Sequence, residues 1–197
     1  MAYVKSEIRR LSKEAGSKTS ARKEAEKWFQ DSLRDRTVTE AKYTRNRFEP
    51  GKIYVFRYET PKYENEIPWW DKNPVVLAIE QVDKNDLGIN LNLLPVKLKE
   101  QLLDDLYKRL EPQIKSAQKG MNALNATGQK PLKITYDGMK AYLEKFGYDF
   151  AIRQYIPERK KDQAVVSYNR WPDIALCDFI ELNGATVNQI RRLFNRR

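Results

Sequence analysis

This chain contains no histidine and a single cysteine, Cys177. The first absence excludes Ser-His-Asp and Cys-His machinery, HExxH zinc sites and histidine-dependent metal nucleases. The second excludes a disulfide framework and any cysteine-rich zinc site. Any catalysis would fall to carboxylates, lysine, tyrosine or a carboxylate-held metal. No stretch approaches the ~18 apolar residues of a membrane span. The charged segment 1–13 lacks the apolar core of a signal peptide. Synthesis in a reducing cytoplasm and no membrane partner are the corresponding expectations. Cys177 lies in the apolar run Ile174-Ala175-Leu176-Cys177, where a small core hydrophobe is expected rather than a reactive thiol.

What is present is enough for a real core: 197 residues, 41% hydrophobic and 11% aromatic. The formal net charge is +10, and it is concentrated at the ends. Residues 1–47 hold 13 basic and 7 acidic side chains, and residues 48–187 hold 20 of each. Residues 188–197 hold Arg191, Arg192, Arg196 and Arg197 with no acid. A neutral body with two basic ends reads as electrostatic arms for nucleic acid or an acidic protein surface. Solvated surface charge is the plain alternative.

The pattern along the chain predicts a fold of the α+β class. Residues 1–18 are charged and broken by Gly16-Ser17, so a flexible or binding-ordered arm is expected. Over 20–36 the stripe Ala21, Ala25, Trp28, Phe29, Leu33 predicts a helix capped by Ser20. Such a helix is marginal alone, so Trp28 and Phe29 need a partner, either the body, another subunit or a neighbouring protein, and are candidate protein-interface residues. Residues 37–47 are a basic linker in which Arg45 and Arg47 are candidate phosphate contacts. The body, 48–187, opens on a turn at Phe48 to Gly51. Strands are predicted at Ile53–Tyr58 and Val75–Val82, joined by the loop Pro61 to Pro74. After a turn at 83–86, a third strand runs from Leu87 to Leu94, with Leu87, Ile89, Leu91 and Leu93 on one face. This succession is how a small SH3-like barrel or meander begins.

Helices follow. One begins at Pro95-Val96 with Leu98, Leu102, Leu103, Leu106 and Leu110. A second is expected at Pro112, with the stripe Ile114, Ala117, Met121, Leu124. A short strand is expected at 132–135, then a helix on Tyr136, Met139, Leu143 and Phe146, closed by Gly147. Residues 148–156 are apolar and of undetermined type. A charged turn at 158–162 precedes a strand at Ala164–Tyr168. An apolar segment starts at Trp171-Pro172, and a short helix at 186–194 carries the terminal arginines. The domain plan is therefore a basic N-terminal arm (1–47), a compact body (48–187) and a basic tail (188–197).

Gly16-Ser17-Lys18-Thr19 resembles the end of a phosphate-binding loop, but it lacks the upstream glycine and strand. Asp149 with Glu158-Arg159-Lys160 fits the acid…acid-x-Lys spacing of Mg²⁺ nucleases, a spacing that chance also produces in a chain that is 32% charged. Trp69-Trp70-Asp71, between Pro68 and Pro74, could stack on unpaired bases at a DNA end, although capping the barrel mouth is the plainer reading; if exposed, Trp69 and Trp70 are candidate protein-interface residues. Arg191, Arg192, Arg196 and Arg197 are candidate DNA contacts, because arginine binds phosphate bidentately. An acidic protein surface would attract them equally.

Three segments carry a family resemblance: Gly51-Lys52-Ile53-Tyr54-Val55-Phe56-Arg57-Tyr58, then Ile67-Pro68-Trp69-Trp70-Asp71-Lys72-Asn73-Pro74, then Leu87-Gly88-Ile89-Asn90-Leu91-Asn92-Leu93-Leu94-Pro95. In this order, and with Ile152 to Pro157 and Trp171-Pro172 behind them, they resemble the DNA end protectors of T-even-type tailed bacteriophages over about residues 48–180. Tryptophans replace the family's tyrosines, and Asn92 stands where a histidine is usual. The resemblance implies a non-enzymatic virion protein, made in the host cytoplasm, that binds the end of the packaged double-stranded DNA and protects it or plugs the head-tail channel. It implies no catalytic residue, metal or cofactor. The alternative is a structural neck, tail or baseplate subunit that holds neighbouring virion proteins through its arms, in an oligomeric assembly.

Overall fold

The computed structural model describes residues 3–35, 47–59, 71–118 and 134–179. Two helices lead: α1 (Tyr3–Glu14) and α2 (Lys18–Asp35). Strands β1 (Ile53–Tyr58), β2 (Val75–Val82) and β3 (Asn85–Asn90) follow, then α3 (Val96–Gln118) and α4 (Tyr136–Glu144). The described chain closes with β4 (Ile152–Tyr155), β5 (Lys160–Val166) and α5 (Trp171–Leu176).

The sheet is antiparallel throughout, in the order β4-β3-β2-β1-β5. Among the described residues it is open, with β4 and β5 at its edges, so the expected SH3-like barrel does not form there. The returning strand pairs with β1 and leaves β4 and β5 unpaired with each other. Alternation along the strands divides the apolar side chains between two faces. Ile53, Val55, Val75, Leu77, Ile79 and Ile89 join the main core with the helices. Tyr54, Phe56, Val76 and Ala78 form a smaller aromatic cluster with Phe48 and Tyr155 on the other face.

The N-terminus differs most from expectation. Residues 3–14 are not a flexible arm. Val4 and Ile8 are fully buried, Leu11 and Ala15 pack beside them, and Tyr3 stacks on Tyr107 at 3.9 Å. The spacing 4, 8, 11, 15 is a helical stripe, hidden in the sequence by the surrounding charges. Helix α2 starts two residues before the expected position, because the Ser17 hydroxyl, not Ser20, accepts an N–H, that of Ser20, at 3.0 Å. Both helices therefore belong to the core rather than to an appended arm.

Smaller differences have local causes. Strand β3 ends at Asn90, whose side chain accepts the Asn92 N–H at 3.0 Å and turns Leu91–Leu93 into a 3-10 helix. Helix α3 runs through Pro112 instead of restarting there. Proline loses one helical hydrogen bond, and the long apolar face up to Leu110 outweighs it. Ile134 and Thr135 form no strand, because the Thr135 hydroxyl caps α4 by accepting the Gly138 N–H. Of the α4 stripe, Met139 and Leu143 are buried, while Tyr136 and Phe146 face solvent. Gly147 closes this helix with φ +70, a conformation that favours glycine. In the charged stretch 158–162, Glu158, Lys161 and Asp162 are exposed as expected, but β5 already begins at Lys160, which is buried.

Candidate nucleic-acid interface

Phosphate binding needs cations that reach solvent and are not already neutralised. Helix α1 supplies them in a line. Its buried face is set by Val4, Ile8, Leu11 and Ala15, so at 100° per residue Arg9 and Lys13 point away from it and Lys5 lies at its margin on the same side. All three are exposed, and none of their side chains has a carboxylate partner among the described residues. Arg10, which also points away from the core, differs. Glu7 and Glu14 hold it at 2.9 and 2.7 Å, and both contacts raise its pKa.

Helix α2 repeats the arrangement. Ala21, Ala25, Phe29 and Ser32 are buried, which turns Lys23 and Lys27 outward, exposed and without an acidic partner among the described residues. The inward-leaning cations of the same helix are compensated: Lys18 meets Glu100 at 2.5 Å, and Arg22 lies 3.6 Å from Glu26. Helices α1 and α2 pack into one core. Among the described residues the pair thus carries five exposed cations without an acidic partner: Lys5, Arg9, Lys13, Lys23 and Lys27. Sequence reasoning saw the surplus charge of residues 1–47 but missed this face. The signal available was the i, i+4, i+8 spacing of Lys5, Arg9 and Lys13 opposite the apolar stripe.

The structure redistributes the residues singled out from sequence. Phe29 is enclosed by the chain's own core, edge-on to Phe179 at 4.9 Å. Trp28 is half-buried against the same core, with the Arg170 guanidinium 4.7 Å above its ring. The partner these two aromatics need is therefore the body itself. Arg47 is not a free cation: its Nε contacts Asp86 Oδ1 at 2.9 Å. Arg45, Trp69, Trp70, Arg191, Arg192, Arg196 and Arg197 lie outside the described residues.

Asp86 anchors a buried charged group. Its carboxylate has no exposure, and it accepts from both Arg47 and the Lys160 ammonium, which also sits 3.9 Å over the Phe48 ring. Burial lowers the Lys160 pKa, and Asp86 opposes that shift. The lysine of the nuclease-like spacing is therefore engaged inside the fold. Among the described residues, no three Asp, Glu or Cys side chains converge in a way that could hold a metal ion.

Asp71 fixes the end of the Trp-Trp segment. It accepts from the side chains of Asn90 at 3.0 Å and Asn92 at 2.7 Å, and Asn92 also bonds the Asn73 carbonyl at 3.1 Å. Burial pushes the Asp71 carboxyl up to about 6 against these hydrogen bonds. Cys177 is fully buried, and burial pushes its thiol up to about 12. That is the environment of an inert core cysteine.

A family model described as the phage T4 terminal DNA protecting protein matches residues 2–180. No curated protein and no solved structure matches the chain. The matched span takes in α1 and α2, the two helices that carry the cationic face, together with the whole described body. By that match, the chain belongs to the phage T4 terminal DNA protecting protein family.

Proposed function

We propose that the protein binds the end of the packaged double-stranded phage DNA within the virion and bars exonucleases from it, with no chemistry of its own. The observation that supports this most directly is the row of uncompensated cations on α1 and α2. Residues four apart on a helix are ~6 Å apart along its axis. A DNA strand likewise presents its charges a few ångströms apart. Lys5, Arg9 and Lys13 therefore suit successive positions along one phosphate backbone. Contacts of this kind give affinity without reading sequence, as protection of any genome end requires. The arginines at 191, 192, 196 and 197 would add to the same electrostatic hold.

The test is a titration of blunt linear and circular duplex DNA at two salt concentrations, followed by exonuclease digestion of the linear complex. Tighter binding to the linear form, weakening with salt, and slower digestion are expected. Equal binding to circles removes end protection, and no binding at low salt removes the DNA partner altogether.

A second reading, a neck, tail or baseplate contact, is favoured by the exposed aromatics Tyr136 and Phe146 on and just beyond α4, 37% and 41% exposed. Large exposed rings of this kind are more common at protein contacts than on free surface. A plug in the head-tail channel would use both surfaces. Cross-linking of particles through a residue beside Phe146 distinguishes the cases, since an end protector held by DNA alone gives no protein adduct.

A further inference from the structure

What separates the end of a duplex from its interior is the terminal base pair, whose outer face is flat, unstacked and uncharged. Contacts to phosphate do not read that difference, because phosphates run the whole length of the helix. An end binder therefore gains from a flat, polarisable group beside its cations, on which the last base pair can stack.

Trp28 and Arg170 form such a group. Trp28, on α2, is half-buried against the core, and the Arg170 guanidinium lies over its ring, 4.7 Å from the centre. Arg170 is exposed, with 46% of its side chain open to solvent, and Asp173 in the first turn of α5 lies 3.5 Å from it. A guanidinium is planar and stacks on aromatic faces, and with one side resting on an indole its other side is free for a second flat partner.

The surroundings favour a base face over a phosphate backbone. Glu24 and Asp31 lie one turn to either side of Trp28 on α2, where their carboxylates repel phosphate but not the face of a base pair. Asp173 already offsets part of the Arg170 charge. The α1–α2 cations nevertheless stand close by. Arg170 leads into α5, which packs against both α1 and α2. Burial raises the Asp173 carboxyl, and the guanidiniums of Arg170 and of Arg10, on α1, oppose that shift. We propose that Arg170, backed by Trp28, stacks on the terminal base pair of the duplex and so makes the protein prefer a DNA end to an interior stretch, while the α1–α2 cations hold the adjoining phosphates. This rests on the end-binding role proposed above and names the residues that determine its specificity.

The experiment measures the affinity of the full-length chain for a blunt linear duplex and for the relaxed circular form of the same sequence, at one salt concentration. Wild type prefers the linear form. Arg170→Lys keeps the charge but loses the plane, and it is expected to weaken linear binding about tenfold, the scale of one base–side-chain stack, while circular binding stays within twofold. Trp28→Leu, which keeps an apolar side chain against the core, has the same selective effect. Phe146→Ala, an exposed ring just beyond α4, is the control and leaves the linear-to-circular ratio unchanged. A wild-type preference that survives Arg170→Lys overturns the proposal. So does an equal loss on both forms, which assigns Arg170 and Trp28 to the fold or to backbone binding. A wild type without any linear preference removes the end-protection reading itself, so the two failures are distinguishable.

Discussion

Replacing Lys5, Arg9 and Lys13 together by alanine tests whether the outward face of α1 meets phosphate. All three side chains are exposed and without a carboxylate partner among the described residues, so their charge is available to a ligand. If each neutralises one phosphate, each contributes ~0.9 to the slope of log affinity against log salt, so the variant's slope should be shallower by about 2.7. Between 50 and 200 mM salt, a fourfold change, the wild-type protein should then lose about 40-fold more affinity than the variant. Fluorescence anisotropy on a labelled blunt duplex reads this directly. Arg10→Ala and Lys108→Ala serve as internal comparisons, because Arg10 is held by Glu7 and Glu14 and Lys108 by Asp104 and Asp105. Each should shift the slope by well under one. Since the three α1 cations make no ion pair among the described residues, thermal stability should stay within about 0.5 kcal/mol. A triple variant whose slope matches wild type, or moves no more than the paired-cation controls, refutes the reasoning.

Removing Asp86 leaves the Lys160 ammonium buried against Phe48 without its counter-charge, so Asp86→Ala should cost about 3–5 kcal/mol in urea unfolding, while Asp86→Leu combined with Lys160→Met should cost much less. Asp71 has a folded-state carboxyl raised to about 6, so the native state holds its proton more tightly than the unfolded chain does, and its ionisation weakens the fold as pH rises from about 4 through 6. The stability difference between Asp71→Asn and wild type should therefore move in the variant's favour as pH rises from about 4 to 7; a difference independent of pH contradicts this. A methyl group at Gly88 would lie 2.3 Å from Val76 Cγ1 and 2.8 Å from the Leu77 carbonyl oxygen, so Gly88→Ala should lower stability by about 1–3 kcal/mol, seen as a reduced thermal midpoint.

Elements with strong short-range signals were legible from sequence. The bounds of β1 and β2 coincide with their apolar and aromatic runs, and the Leu-rich face of α3 is buried as its spacing predicts. Failures occurred where a local signal competed with a distant partner. Pro112 is a strong local break, yet α3 continues because its packed face dominates. Lys160 sits in a charged run that reads as solvated, and only Asp86, 74 positions away, makes its burial tolerable. Arg47 looked like an arm cation for the same reason, since its partner is Asp86 rather than a neighbour in sequence.

By itself the sequence determined the chemistry available to this protein: no imidazole, one inert thiol, and positive charge gathered at the ends of a neutral body. Those are properties of composition and order, and folding does not change them. The tertiary structure decided which cations are left to bind anything. It drew Lys99 and Lys160 into the interior beside buried acceptors, paired the partly exposed Arg47 with the buried Asp86, and tied Arg10 to glutamates on its own helix. It left Lys5, Arg9, Lys13, Lys23 and Lys27 outward, because Val4, Ile8, Ala21, Ala25 and Phe29 had to reach the core on the opposite faces of their helices. A charge count is additive along the chain, whereas exposure and pairing depend on contacts between distant residues, and only the fold makes those contacts.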